Sequence, residues 1–152
     1  RFATVFGVSP RMRFDLTVNE FVRDAVLKNR LVIYGEYFWR PYIHVRDMGR
    51  AILSVLRAPE AHARGAVFNV GGTSQNYQKK QMAELIQRKI PSLTVEYISK
   101  QEDPRDYRVS FEKIRSVLGF ECGRTLEQGI DELVALVRSG VMDDPYDKRY
   151  GN

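Results

Sequence analysis

The stretch WRPYIHVRDMGRAILSVL, residues 39–56, changes its period in the middle. Residues 42–45, Tyr-Ile-His-Val, alternate like a strand. From Met48 onward the apolar residues Met48, Ala51, Ile52, Val55 and Leu56 recur at the three- and four-residue spacing of one helix face. Asp47 stands at the change and is the expected cap of a helix over about 48–58, which Pro59 ends. Arg40, Arg46 and Arg50 surround the junction, together with His44.

The same grammar extends to either side. FATVF (2–6) reads as a buried strand closed by Gly7, and Asp15 is the expected cap of a helix over about 16–28. LVIY (31–34) is a short apolar strand ended by Gly35. AVFNV (66–70) is a further apolar strand, closed by Gly71-Gly72. A helix over about 78–89 carries Met82, Leu85 and Ile86, and Pro91 closes it. LTVEYI (93–98) alternates like a half-exposed strand. Ser110 starts a short helix that Gly119 ends. Thr125 and Gln128 have capping-box spacing before the last helix, which buries Leu126, Ile130, Leu133, Val134 and Val137. The polar tail 141–152 is expected to be loose.

Strands thus alternate with helices, which indicates α/β. The segments 2–6 and 66–70 are apolar on both faces, as in a parallel sheet covered on each side. The other strands read as satellites.

The 152 residues suit one domain, and 43% hydrophobic content allows a packed core. No run approaches the roughly 18–20 apolar residues of a membrane span. Cys122 is the single cysteine, which excludes an intramolecular disulfide and fits a reducing, cytoplasmic compartment. His44 and His62 lack ligand-like spacing, so no metal is expected. A chain that opens with Arg1 inside a strand reads as part of a longer protein.

Charge is uneven. Residues 1–64 hold eleven Lys/Arg against six Asp/Glu, and the remainder holds thirteen of each. Lys28 is the only lysine of the first part. Arginine grips phosphate with a planar fork, so this pattern permits a phosphorylated small ligand. A nucleic-acid module is the weaker reading, because no reading helix or aromatic platform is evident.

Several motifs are missing. There is no Gly-x-Gly-x-x-Gly, no Walker-type loop, no Gly-x-Ser-x-Gly and no Tyr-x-x-x-Lys. The arginines sit instead at strand ends and loop tips: Arg11 and Arg13, Arg40 and Arg46, Arg105 and Arg108. The crevice beyond strand ends is the default ligand site of an α/β protein. Asn19, one turn into the first helix, adds a neutral donor.

The ordered pieces RFATVFG, VIYG, RPYIHVRD, FNVGG, DPRDYRVSFEKI, LGF and TLEQGI resemble the C-terminal part of the extended short-chain dehydrogenase/reductases. These are the NAD-dependent nucleotide-sugar epimerases and dehydratases. The resemblance runs over about residues 1–137.

It implies a substrate-binding part over 1–140, with 2–6 and 66–70 as the terminal strands of a Rossmann sheet. The N-terminal NAD-binding domain, with its glycine-rich loop and catalytic Tyr-x-x-x-Lys, is absent from this chain. No catalytic residue is therefore expected here. The resemblance places Arg40, Arg105 and Asn19 at the diphosphate of a nucleotide-diphosphate sugar. It places Tyr34 against the base, and Phe2 and Ala3 near the nicotinamide of NAD. Thr4 stands where many relatives carry Asn and becomes a sugar-side candidate. Arg40-Pro41 replaces the commoner Arg-Asp, which removes a backbone donor and a carboxylate.

Each residue also has a plainer reading. Arg40 and Asn19 could be surface residues, Tyr34 ordinary core, and Arg105 a partner of Asp103 or Asp106. Trp39 could stack on a base or cover the cleft. His44 is expected to be structural, and Arg46 and Arg50 to pair with Asp47 or helix-end groups. The full-length protein is expected to be a cytoplasmic homodimer, with no membrane or nucleic-acid partner. The alternative is a non-catalytic NAD(P)-binding sensor of the same superfamily. The uncovered edge of two terminal sheet strands predicts poor solubility or an oligomer for this chain.

Overall fold

The computed structural model describes residues 1–99 and 106–151. Along the chain these form β1 (Thr4–Phe6), α1 (Thr17–Lys28), β2 (Arg30–Tyr34), β3 (Trp39–His44), α2 (Val45–Arg57) and α3 (Glu60–Ala63). There follow β4 (Asn76–Gln78), α4 (Lys79–Lys89), β5 (Thr94–Ile98), α5 (Glu112–Leu118) and α6 (Leu126–Arg138).

Two small sheets result. In one, β3 is central, parallel to β1 and antiparallel to β4. The β1–β3 register sets Thr4 opposite Tyr42 and Phe6 opposite His44. In the other, β2 and β5 pair in parallel, from Arg30 opposite Thr94 to Tyr34 opposite Ile98.

Alternation along β3 separates two cores. Tyr42 belongs to the larger one, with Phe6, Phe14, Val18, Met82 and Ile130. Ile43 belongs to the smaller one, with Ala51, Phe68, Phe111 and Ile114. The β1–β3 pair is therefore the wall between them.

The segment 66–70 does not form the expected strand. Only Val70 bridges, in parallel to Phe2. The Ala3 amide donates to the Val70 carbonyl at 3.0 Å, and the Val70 amide donates to the Arg1 carbonyl at 2.8 Å. A single short partner yields a bridge and not a ladder. Phe68 and Val70 are still buried, so the apolar pattern reports burial correctly and pairing incorrectly.

Two expected caps also differ. α2 begins at Val45, and its cap is His44, whose side chain accepts from the Arg46 amide. α1 has Leu16 at its cap position with no side-chain bond. Asp15 is instead engaged by Arg13, at 2.9 and 2.6 Å. The Thr125/Gln128 capping box forms as expected, and Gly119 ends α5 in the left-handed region at φ 63. Asn29 ends α1 at φ 51, one of the few side chains that tolerate that conformation.

The tail is not loose. The Phe14 amide donates to the Tyr150 carbonyl at 2.7 Å, and the two rings meet edge to face. Tyr146 lies against α1, its hydroxyl on Asp24 at 3.0 Å. Aromatic residues within a polar tail carry enough buried surface to dock it.

Candidate functional site

Arg40 is the second residue of β3, and it is buried rather than a surface side chain, at 8% exposure. Its Nη1 donates to the Trp39 carbonyl at 2.9 Å. The guanidinium lies 5.9 Å from the centroid of Tyr107. The segment after residue 105 fixes this end of β3 through further contacts. The Trp39 amide donates to Asp106 Oδ1 at 2.7 Å, and the Tyr107 amide donates to the Trp39 carbonyl at 3.3 Å. The Arg108 guanidinium sits 4.9 Å over the Trp39 ring, so Trp39 is already stacked on a cation.

Strand alternation places Arg40, Tyr42 and His44 on one face of β3, and Thr4 and Phe6 share that face on β1. Thr4 and Arg40 therefore lie near one another on one wall. Phe2 is 49% exposed and Ala3 is buried. Both line a cleft of about 240 Å³ with Arg1, Pro41, Asn69 and Tyr107. The expected nicotinamide-side residues thus share an opening with Pro41 and Tyr107, the neighbours of Arg40 in sequence and in space, while Arg40 is not among its lining residues.

Asn19 and Tyr34 stand apart from this group. Asn19 is 2% exposed. Its Oδ1 accepts from the Gly7 amide at 3.0 Å, and its Nδ2 donates to the Arg13 carbonyl at 2.8 Å. It clamps the loop after β1 and is not the exposed helix residue of the plainer reading. Tyr34 ends β2 in the other sheet and is 55% exposed, so it is not ordinary core. Its carbonyl accepts from Lys79 Nζ at 2.7 Å, which ties β2 to the start of α4. Arg105 lies outside the described residues.

At the opposite end of the β1–β3 pair is a polar cluster built on the buried His44 and Asp47. His44 Nδ1 accepts from the Arg46 amide at 3.2 Å, so Nε2 carries the proton and donates to Glu132 Oε2 at 3.1 Å. Arg124 pairs with the other oxygen of Glu132 at 3.3 Å. Arg50 pairs with Asp47 at 2.6 Å as expected, whereas Arg46 contributes its backbone amide. These contacts are consistent with His44 as scaffold.

Two residues of this wall, Tyr42 and Tyr107, are not among those that the sequence singles out. Alternation in RPYIH is the available signal for Tyr42, since it shares a face with Arg40. Tyr107 has no comparable signal, because its approach to Arg40 depends on a contact across 67 positions.

Residues 1–71 match the model of the NAD dependent epimerase/dehydratase family. UDP-glucuronic acid decarboxylases 2 and 4 of Arabidopsis thaliana are each 26% identical over 150 residues, which is 95% of this chain and 33% of theirs. The structure of MoeE5 in complex with UDP-glucuronic acid and NAD is 26% identical, with a TM-score of 0.75 over 93% of this chain and 46% of that one. The NAD-dependent NDP-hexosamine 5,6-dehydratase TunA shares the fold, with a TM-score of 0.79 at 19% identity over 95% of this chain and 46% of its own. This chain spans a third of those curated relatives and about half of those structures. It is related to NAD-dependent nucleotide-sugar enzymes and has the mixed α/β fold of about half of one.

Proposed function

We propose that this chain is the substrate-binding portion of an NAD-dependent nucleotide-sugar epimerase or dehydratase. The observation that carries the reading is the placement of Arg40. It is a largely buried guanidinium at the head of β3, sharing a wall with Thr4 and lying near the ring of Tyr107, which lines the cleft edged by Phe2 and Ala3. An arginine fork is suited to a diphosphate. The likeness to MoeE5, whose structure holds UDP-glucuronic acid and NAD, supports a ligand of that class.

The residues fit only one end of NAD. The exposed Phe2 ring and small Ala3 offer an apolar surface for the nicotinamide, while the chain contains no glycine-rich loop for the pyrophosphate. NAD, when bound, supplies reversible hydride transfer with the sugar. This chain's own residues bind and orient: Arg40, with Arg105, holds the diphosphate, Thr4 faces the sugar and Tyr34 packs on the base. Asn19 acts in this reading through the loop that it clamps. Holding the substrate in reactive geometry is the positioning part of catalysis.

The domain assignment follows the same reading, with residues 1–140 as the substrate part. Cytoplasmic location and a full-length homodimer belong to it as well. Among the described residues no helix is long and apolar enough to cross a membrane. Exposed Phe2, Ile52, Leu53, Leu56 and Val67 support self-association of the chain. A clean monomer by light scattering at high concentration would count against that.

The test is calorimetric titration with UDP and with a UDP-sugar. Arg40→Ala is expected to weaken both by about 1.5–3 kcal/mol, the worth of a hydrogen bond to a charged group. Unchanged affinity overturns the assignment.

A further inference from the structure

Gln75 is a buried amide with only one end in use. It closes the single turn Thr73–Gln75 after Gly71-Gly72 and is 8% exposed. Its Oε1 accepts from the Leu126 amide, at the start of α6, at 3.2 Å. That bond fixes which end of the side-chain amide is which. Nε2 then has no hydrogen-bond partner among the described residues. Unlike the Tyr42 hydroxyl, it is not sealed from the outside. Gln75 lines a cavity of about 370 Å³, and that cavity is its route to the surface. A buried donor without an acceptor carries a desolvation cost that a bound acceptor would relieve.

The rest of the lining indicates the kind of acceptor. Phe111 and Phe120, both buried, give the cavity apolar walls. Arg115 is also in the lining, but its charge is already met: Nε donates to Glu121 at 2.7 Å and Nη1 to Glu112 at 3.0 Å. Two carboxylates against one cation disfavour an anion. The Cys122 thiol is neutral, chiefly through burial. Gly72 leaves room between two lining residues. A methyl group there would stand 3.2 Å from Gln75 Cγ and 3.5 Å from Cys122 Sγ. The Gly72 backbone, at φ -120 and ψ 132, would itself accept a side chain. None of the described residues proposed above to hold the nucleotide sugar lines this cavity. Phe111 alone is shared with the cleft edged by Phe2 and Ala3.

We propose that this cavity is a second binding site, for a small uncharged aromatic molecule that carries a carbonyl oxygen. The oxygen accepts the Gln75 Nε2 proton, and the ring packs against Phe111 and Phe120. An anion would meet Glu112 and Glu121, and a cation would leave Nε2 without an acceptor. Apolar walls with one convergent donor are the make-up of a small-molecule site. The site goes beyond the function proposed above and does not depend on it.

Benzamide, benzoate and benzylamine carry the same ring with a neutral, an anionic and a cationic head, and serve as the probes. Each is titrated into the isotope-labelled chain while the Gln75 side-chain amide and the Gly72 backbone amide are followed by NMR. Benzamide is expected to shift both signals saturably, and the charged probes to bind about tenfold more weakly or worse. Gln75→Glu keeps an acceptor for the Leu126 amide, at a helix N-terminus that favours a carboxylate, and removes the donor. It is expected to weaken benzamide binding about tenfold, read from the Gly72 signal. Gly72→Ala narrows the cavity and is expected to weaken benzamide as well; it decides the matter if Gln75→Glu does not fold. No saturable shift with benzamide overturns the proposal. Equal benzamide affinity in Gln75→Glu and the wild type overturns it too, since the donor then makes no contact. Unchanged affinity in Gly72→Ala puts the probe elsewhere and overturns the site. A charged probe that binds as tightly as benzamide overturns the ligand class.

Discussion

The Asp47 carboxylate, in the first turn of α2, accepts a hydrogen bond from the Arg124 backbone amide at 2.8 Å, across 77 positions of sequence. Its other oxygen accepts from the Gly123 amide at 3.1 Å and from Arg50 Nη1 at 2.6 Å. Asp47 therefore ties the start of α2 to the entry of α6. Asp47→Ala would leave two backbone donors without their acceptor beside the core. A loss of roughly 2–4 kcal/mol is expected in urea unfolding. Asp47→Asn keeps one acceptor oxygen and should lose roughly half as much.

Asp47 also marks how far local pattern reaches. The change of period in 39–56 locates the strand-to-helix joint, because burial on a strand and on a helix repeats at different intervals. It does not tell which side chain caps the helix. Placing Asp47 there sets the helix start three residues late, since His44 can cap only by reaching the Arg46 amide, a matter of rotamer. The partners of Asp47 lie too far along the chain for local pattern to reveal. The same limit applies to 66–70, whose apolar run reports burial while its pairing depends on a neighbour. At the site, Arg40 is legible from its place before a strand. That the Tyr42 hydroxyl has no partner among the described residues is not, because satisfaction of a polar group is a property of its surroundings.

Gly129 tests the packing at the His44 end. A methyl group there would collide with the Phe6 ring and approach His44 Cδ2 at 3.1 Å. The Phe6 ring is held edge-on by both Tyr42 and His44, so it has little room to yield. Replacing a helical glycine by alanine ordinarily gains about 1 kcal/mol. Overpacking here costs about 1–3 kcal/mol, so Gly129→Ala should be destabilising in thermal melts. Adding Phe6→Leu should restore part of the loss.

Cys122 should be a slow thiol. Burial comes first, and then the negative charge of Asp47; together they push its pKa up to about 11, with Arg50 opposing in part. The thiolate is the reactive form, so at pH 8 only a small fraction can react. Alkylation of the native chain should speed up about tenfold per pH unit between 8 and 10, whereas the unfolded chain should level off near its ordinary value. Rapid labelling of the native chain at pH 7 would contradict this.

Tyr146 holds the tail against α1. Its ring lies 4.2 Å from the Arg23 guanidinium and 4.5 Å from Lys28 Nζ, and its hydroxyl donates to Asp24 at 3.0 Å. Burial raises the Asp24 pKa, but hydrogen bonds from Arg23, Lys28 and Tyr146 outweigh it and hold the carboxyl below its ordinary value. A depressed folded pKa means that the stabilisation is present above the unfolded value, near 3.8, and is lost as pH falls toward the folded one. Tyr146→Phe removes one of the three hydrogen bonds and keeps the ring. Acid unfolding should then begin at a higher pH, with a loss of about 0.5–1 kcal/mol at neutral pH. Tyr146→Ala also removes the ring between two cations and should cost about 1–2 kcal/mol, the exposed position keeping each contact at the low end of its range. Both variants should loosen the tail's hold on the loop ending at Phe14, because Tyr150 docks on Phe14 only a few residues further on. Hydrogen exchange at the Phe14 amide measures that directly: faster exchange in Tyr146→Ala is expected, and an unchanged rate would show that Tyr150 anchors the loop alone.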